Sequence, residues 1–128
     1  MKKSGFQLIN EKVLSLDYKI NENSVIKNID LKLSGNTEIH KFEENKAKVI
    51  FSFSVFKKEP IESVPFKIEI IIEGIFTWNE EISLDMVDQL LNTNAPAILI
   101  SYIRSIVTQL TVLSGFPALV LPLLNFTK

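Results

Sequence analysis

The stretch VPFKIEIIIEGIFTW, residues 64–78, decides the architecture. Val64, Phe66, Ile68, Ile70, Ile72, Phe76 and Trp78 share one parity, while Lys67, Glu69, Glu73 and Thr77 occupy the other, with Ile71 and Ile75 among them. Side chains alternate across a strand, so this period of two predicts a strand with one buried and one partly polar face. Immediately upstream, Ala47 to Phe56 repeats the pattern, with Val49, Phe51, Phe53 and Val55 set against Lys48, Ser52 and Ser54. The polar, proline-bearing linker Lys57-Lys58-Glu59-Pro60 between them predicts an antiparallel hairpin.

Two further strands precede the hairpin. Phe6 and Leu8, then Leu14, Leu16, Tyr18 and Ile20, keep one parity, and Asn10 and Lys12 mark a bulge or bend. Ile29, Leu31 and Leu33 alternate with Asp30 and Lys32, and Ser34-Gly35-Asn36 is expected to interrupt this strand before it resumes toward Phe42. Four antiparallel strands with one apolar face need a cover. Downstream the period becomes helical. Ser83 is the expected N-cap of a short helix through Asn92, with Met86, Val87, Leu90 and Leu91 on its apolar side. A longer helix is expected from Pro96, which a first turn tolerates, to Gly115, with Leu99, Tyr102, Ile103, Ile106, Leu110 and Leu113 facing the core. Ser101, Arg104, Ser105, Thr108 and Thr111 form its opposite stripe, which is small in side chain and carries one charge. On pattern alone that stripe fits a protein interface or a modest solvent face equally. Beyond Gly115, Pro117 and Pro122 exclude further helix and predict an extended tail.

At 128 residues and 46% hydrophobic content the chain reads as a single domain, 1–128, with one core. A net charge of -1 offers no footprint for nucleic acid, and no basic amphipathic segment addresses a membrane surface. The apolar region from Ala95 to Phe126 is broken by Pro96, Arg104, Gly115, Pro117 and Pro122, so a buried helix is expected there, with no membrane insertion. Residues 1–15 lack the apolar run of a secretory signal, and a cytoplasmic location is expected. The absence of cysteine removes disulfides and thiolate chemistry. The single histidine, His40, has no triad or metal motif around it, and the adjacent pairs Glu43-Glu44 and Glu80-Glu81 alternate faces on a strand. The reading is therefore of a non-enzyme without cofactor or metal. The sequon Asn125-Phe126-Thr127 has no bearing without a signal.

The segment Asn94 to Phe126, NAPAILISYIRSIVTQLTVLSGFPALVLPLLNF, resembles the C-terminal signature of the SecB family in the order and spacing of several residues. These are Pro96, Tyr102, Arg104, Phe116-Pro117, Leu119, Leu121 and Asn125-Phe126. Gly74-Ile75-Phe76 matches as well. The resemblance implies an α+β, SecB-like subunit: a four-stranded antiparallel sheet, then a crossover segment and a long helix packed on one face. It further implies self-association to a dimer or tetramer, and a holding chaperone that binds unfolded polypeptides, chiefly preproteins for Sec-dependent export. Burial of apolar surface, at roughly 25 cal/mol per Å², would let such a chaperone bind clients without a sequence code.

Under that resemblance, the client-binding groove is expected at Phe76, Trp78, Met86, Leu90 and Leu91, and the oligomer interface at Ser101, Arg104, Ser105, Thr108 and Thr111. Glu69 is the one acid that maps onto the family's docking positions for the SecA motor, because Lys67 lies two residues back and Ser15 and Lys19 stand where acids are expected. Family members are also more acidic and usually continue into another helix, so a groove wall is expected to be missing after Lys128. These departures favour a second expectation, a SecB-like chaperone dedicated to a toxin-antitoxin pair and holding the antitoxin.

Overall fold

The computed structural model describes residues 5–23 and 30–122. It contains strands β1 (Phe6–Ile20), β2 (Leu33–Glu43), β3 (Lys46–Val55) and β4 (Phe66–Trp78), followed by the helix α1 (Leu84–Leu113). All pairings are antiparallel, in the order β1-β4-β3-β2, which places the stretch quoted first at an interior position. Its alternation is real. Phe66, Ile68, Ile70, Ile72, Phe76 and Trp78 are buried, as are Val49, Phe51, Phe53 and Val55 of β3, and these two strands carry the core under α1. The expected start of the second strand at Ile29 lies outside the described residues.

Three expectations are corrected. First, β2 does not break at Ser34-Gly35-Asn36: these residues pair in regular register with Ser54, Phe53 and Ser52. Gly35 belongs there because an added Cβ would stand 3.0 Å from the Phe51 ring. The irregularity comes instead between Lys41 and Glu43. Second, the bulge expected at Asn10 is present as a register shift between Leu8 and Asn10, but a further shift lies between Val13 and Ser15, beyond Lys12. Each inserts one residue, so Val13, rather than Leu14, opposes Ile72 on the core side.

Third, the short helix and the long helix are one. Ser83 caps it as expected, its hydroxyl accepting from the Met86 N–H at 3.2 Å, but the helix then runs through Pro96. An interior proline removes one backbone hydrogen bond. Here its ring is buried, and the turns before it gain side-chain bonds, from Asn92 to the Asp88 carbonyl and from Thr93 to the Gln89 carbonyl. There is accordingly no separate crossover segment. The helix ends as expected at Gly115, whose φ of 82° and the bonds Gly115 N–H to Val112 O and Phe116 N–H to Thr111 O complete a Schellman cap.

The buried side of α1 is the row Val87, Leu91, Ala95, Leu99, Ile103, Val107 and Thr111, with Pro96 and Ile100 beside it. Spacing by four drifts about 40° per step around a helix, so this row winds from the side facing the sheet to the side where Thr111 meets Leu119 of the tail. Gly74 sits where helix and sheet meet: a Cβ there would lie 2.8 Å from a Leu99 methyl and 2.9 Å from the Phe76 ring. Only glycine lets the helix approach this closely. At the other end of α1, the Tyr18 hydroxyl donates to Ser114 Oγ at 2.7 Å, which donates to the Leu110 carbonyl at 2.8 Å. Lys41 of β2 meets Asp88 near the start of α1 at 2.6 Å. Both members of that pair are well exposed, so Asp88→Ala is expected to cost no more than about 1 kcal/mol, read as a small shift in a urea unfolding midpoint.

Candidate functional site

Side chains that the expected groove requires on a surface are found in the core. Phe76 and Leu91 are 0% and 1% exposed and Trp78 is buried, with Phe6 stacked on Phe76 at 5.2 Å between ring centroids. The parity of β4 and the row of α1 point all three inward, so they support a surface without forming one. Met86, at 47% exposure, remains available, and Leu90 is half-buried.

The interface stripe divides in a similar way. Ser101 and Ser105 are exposed, whereas Arg104, Thr108 and Thr111 hold the chain's own extended tail. Arg104 Nε donates to the Leu121 carbonyl at 3.0 Å, Thr108 Oγ1 lies 2.7 Å from the Leu119 carbonyl, and the Leu119 N–H donates to Thr111 Oγ1 at 3.0 Å. Thr111 is fully buried, and its hydroxyl is further satisfied by helix carbonyls. Leu121 is buried and Phe116 packs on Phe66 at 5.6 Å, so residues 116–122 form a strap along the helix. The signature pair Asn125-Phe126 lies outside the described residues. A buried extended segment must find partners for its backbone groups, and a polar stripe on the neighbouring helix supplies them.

Among the described residues, two apolar surfaces remain uncovered. The first belongs to β1 and one flank of α1. Val13, Leu16 and Ile20 oppose Ile72, Ile70 and Phe66, so they face the same side of the sheet as the core, yet they are 45%, 47% and 41% exposed. On α1, Tyr102, Ile106, Leu110 and Leu113 share the flank that the Tyr18 bond joins to β1. This flank was expected to be core. Ile106 and Leu110 are half-buried, while Tyr102 and Leu113 stay open. By length and composition α1 is apolar enough to cross a membrane, yet its buried row docks it on the sheet. Only 33% of its most apolar stretch is buried inside the subunit.

The second lies at the start of α1, where Leu84 and Met86, within a turn of Asp88, are exposed. Phe42, at the register shift of β2 beside Lys41, is also 50% exposed. Period-two and period-3.6 patterns could not reveal Phe42 or Leu84, because both stand at irregular positions, a register shift and a first helical turn. Val13, Leu16 and Ile20 were legible as strand residues, but their exposure depends on where a helix far along the chain lies.

The sheet's other face is polar. Glu73 is nearly buried between Lys12 at 3.4 Å and Lys48 at 3.7 Å. Glu69 is half-exposed and paired with Lys57 at 3.7 Å, with Asp17 opposite it and Lys19 opposite Lys67. Around them lies a shallow hollow of about 280 Å³ with serines 15, 34, 52 and 54 on its floor. Its charged lining is Asp17 and Glu69 set against Lys57, which leaves only a weak acidic field. His40 lies exposed on the same face of β2, and no three His, Asp or Glu side chains converge as a metal-binding group among the described residues.

Comparison with known proteins agrees with this architecture. The family model described as "Preprotein translocase subunit SecB" matches residues 7–128. The Protein-export protein SecB of Psychrobacter arcticus is 31% identical over 100 residues, covering 78% of this chain and 65% of that protein. An uncharacterized protein, MJ0357, of Methanocaldococcus jannaschii is 30% identical over 99 residues, covering 76% of this chain and 63% of that one. The chain thus spans somewhat under two thirds of the length of these relatives. Among solved structures, the Mycobacterium tuberculosis Rv1957 SecB-like chaperone, in complex with a ChAD peptide from the Rv1956 HigA1 antitoxin, superposes with a TM-score of 0.69 at 14% identity, covering 94% of this chain and 88% of that one. A Streptococcus agalactiae protein of unknown function gives 0.58 at 15% identity, covering 94% and 99%.

Proposed function

The chain belongs to the SecB family, and from that premise we propose that it is a holding chaperone that assembles with copies of itself and keeps non-native polypeptides from aggregating. The observation that carries this reading is the uncovered apolar surface on both sides of a well-formed core. A subunit with a complete core has no folding reason to leave Val13, Leu16, Ile20, Phe42, Leu84 and Leu113 open, and exposed apolar groups in that number mark partner surfaces. The β1 row and the α1 flank, with Ser101 and Ser105 on the outer side of the helix, are assigned to self-association. Phe42, Leu84, Met86 and Leu90 are assigned to clients, whose binding is non-enzymatic and needs no cofactor.

Aggregation of a chemically unfolded test protein tests the reading. The wild-type chain is expected to suppress light scattering at stoichiometric concentration. A Phe42→Ser, Leu84→Ser, Met86→Ser variant is expected to lose this activity severalfold, while each change at such an exposed position shifts stability by only about 0.5 kcal/mol. Full suppression by the variant would remove these residues from the client surface, and no suppression by the wild type would leave a purely structural oligomer.

A specific observation favours an antitoxin as client over precursors delivered to SecA. The candidate docking acid Glu69 is paired with Lys57, and Lys19 and Lys67 face each other two pairs away. This favours a dedicated partner like the antitoxin held by the M. tuberculosis chaperone. Affinity recovery from the native host distinguishes them: one dominant small protein without SecA is expected, and SecA in quantity would reverse the assignment.

A further inference from the structure

Side chains alone read the backbone of the strap that follows α1. Among the described residues, the strap beyond the helix cap makes three backbone hydrogen bonds, all to one helix: Arg104 donates to the Leu121 carbonyl, Thr108 to the Leu119 carbonyl, and the Leu119 N–H donates to Thr111. The sheet has four strands, and the strap is not one of them. Hydrogen bonds to main-chain groups are indifferent to the side chain attached, so this stripe is complementary to an extended backbone as such.

Apolar contacts set the pattern that the stripe accepts. Phe116 enters an aromatic corner 5.6 Å from Phe66, which is flanked by Phe56 at 5.8 Å and Tyr18 at 6.1 Å. Leu119 is half-buried and Leu121 is 1% exposed, while Val120 between them is 66% exposed. The seat beneath the strap therefore takes an extended segment with an aromatic residue, then apolar residues three and five positions later.

Vacating the seat strands few polar groups. The Thr108 hydroxyl lies 3.0 Å from the Arg104 carbonyl, and the Thr111 hydroxyl 3.2 Å and 3.0 Å from the Val107 and Thr108 carbonyls. Each hydroxyl thus has an acceptor in its own helix when the strap is gone. The pivot is Gly115, at a φ of 82°, where an added Cβ would meet nothing within 4 Å. Behind it the helix end is fixed by the 2.7 Å bond from Tyr18 to Ser114. What an empty seat lacks is apolar cover, and a replacement occupant must supply it.

We propose that the strap is an internal occupant of a second client seat, and that an extended apolar segment of a non-native polypeptide displaces it. The inference rests on the holding reading and adds to the surface at Phe42, Leu84 and Met86 a site that stays closed until a client competes for it. A non-native chain is the occupant selected, because it offers unpaired backbone groups and apolar side chains together, whereas a folded protein has paired and buried both. The tethered strap, present at high effective concentration, excludes segments that match its contacts poorly.

The probe is a fluorescent peptide of residues 115–122, GFPALVLP. In the full chain, Leu119→Ser with Leu121→Ser weakens the strap and leaves the seat intact. Fluorescence anisotropy is expected to show this variant binding the peptide at least tenfold more tightly than the wild type. Equal affinities, or no binding to the folded variant, overturn the seat. If the variant does not fold, the wild type decides: in a large excess of peptide the Leu119 N–H, released from Thr111, is expected to exchange with deuterium at least threefold faster, and an unchanged rate overturns the proposal.

A client arm separates this inference from the reading beneath it. A chemically unfolded test protein is expected to displace the peptide from the seat. If the chain suppresses aggregation of that protein yet keeps the peptide bound, clients sit elsewhere, and the displacement is wrong while the holding reading stands. A wild type that binds the peptide but suppresses no aggregation would remove the holding reading, and this proposal with it.

Discussion

Alanine at Phe76 is expected to lower the stability of the folded chain by about 3–5 kcal/mol, the range for emptying a large aromatic site in a core. The ring is fully buried, stacked on Phe6 at 5.2 Å, and lies beneath the point where Gly74 admits Leu99 of α1. Neither neighbour can collapse into the cavity easily, because Phe6 is fixed by its strand pairing with Trp78 and Leu99 by the helix row. Against a total stability of about 5–15 kcal/mol, such a loss unfolds a substantial fraction of a small domain. Urea unfolding reads it directly, as a large fall in midpoint at unchanged slope. A surface role for Phe76 in client binding makes the opposite forecast, intact stability with impaired holding, and a loss below about 1 kcal/mol would favour it.

The contrast shows which parts of this molecule are legible in the sequence. Alternation in residues 47–56 and 64–78 identifies the two central strands and their buried sides, because the period of a strand is local and both faces report it. Ser83 and Gly115 identify the ends of α1 for the same reason, since cap chemistry involves neighbours within a turn. What happens between those ends is not local. Pro96 reads as a helix start, but it lies buried in the helix interior, an outcome that depends on packing beyond its own turn. Thr111 reads as surface, because a threonine ordinarily is. It is buried here because helix carbonyls satisfy its hydroxyl on one side and the Leu119 N–H uses its lone pair on the other.

The candidate site suffers most from this distinction. An apolar residue in register is the same symbol whether a helix covers it or not, so Phe76 and Leu16 are indistinguishable by pattern. The path of α1 separates them: it covers β4 and β3 and leaves the row Val13, Leu16 and Ile20 open. The Ser/Thr-rich stripe has a similar history. Its polarity is legible, but the partner of Arg104, Thr108 and Thr111 is the chain's own strap, residues 116–122. Introducing a charge at Thr108 would thus disturb the strap before any neighbour, which makes that position a poor probe of assembly.

The β1 row is the better probe, and lysine at both Val13 and Leu16 is expected to break the contact made through this row, read as a fall in mass toward that of the 14.6 kDa subunit in sedimentation or light scattering. Both side chains are about half-exposed within the isolated subunit, so each lysine keeps its ammonium in water there and folding is little affected. In an assembly that covers the row, the same two ammonium groups lose their water in each copy, and the apolar contact they replace is lost as well. Truncating or charging a buried interface contact costs on the order of 2 kcal/mol or more. Two such changes amount to roughly 4 kcal/mol, about a thousandfold in dissociation constant. The result discriminates because the outer serines offer no such lever, and Ser101→Lys alone is expected to act far more weakly. An assembly that survives both lysines would move the interface away from β1 and leave Val13, Leu16 and Ile20 as surface for clients. In that case the holding activity of the double variant, rather than its mass, would fall.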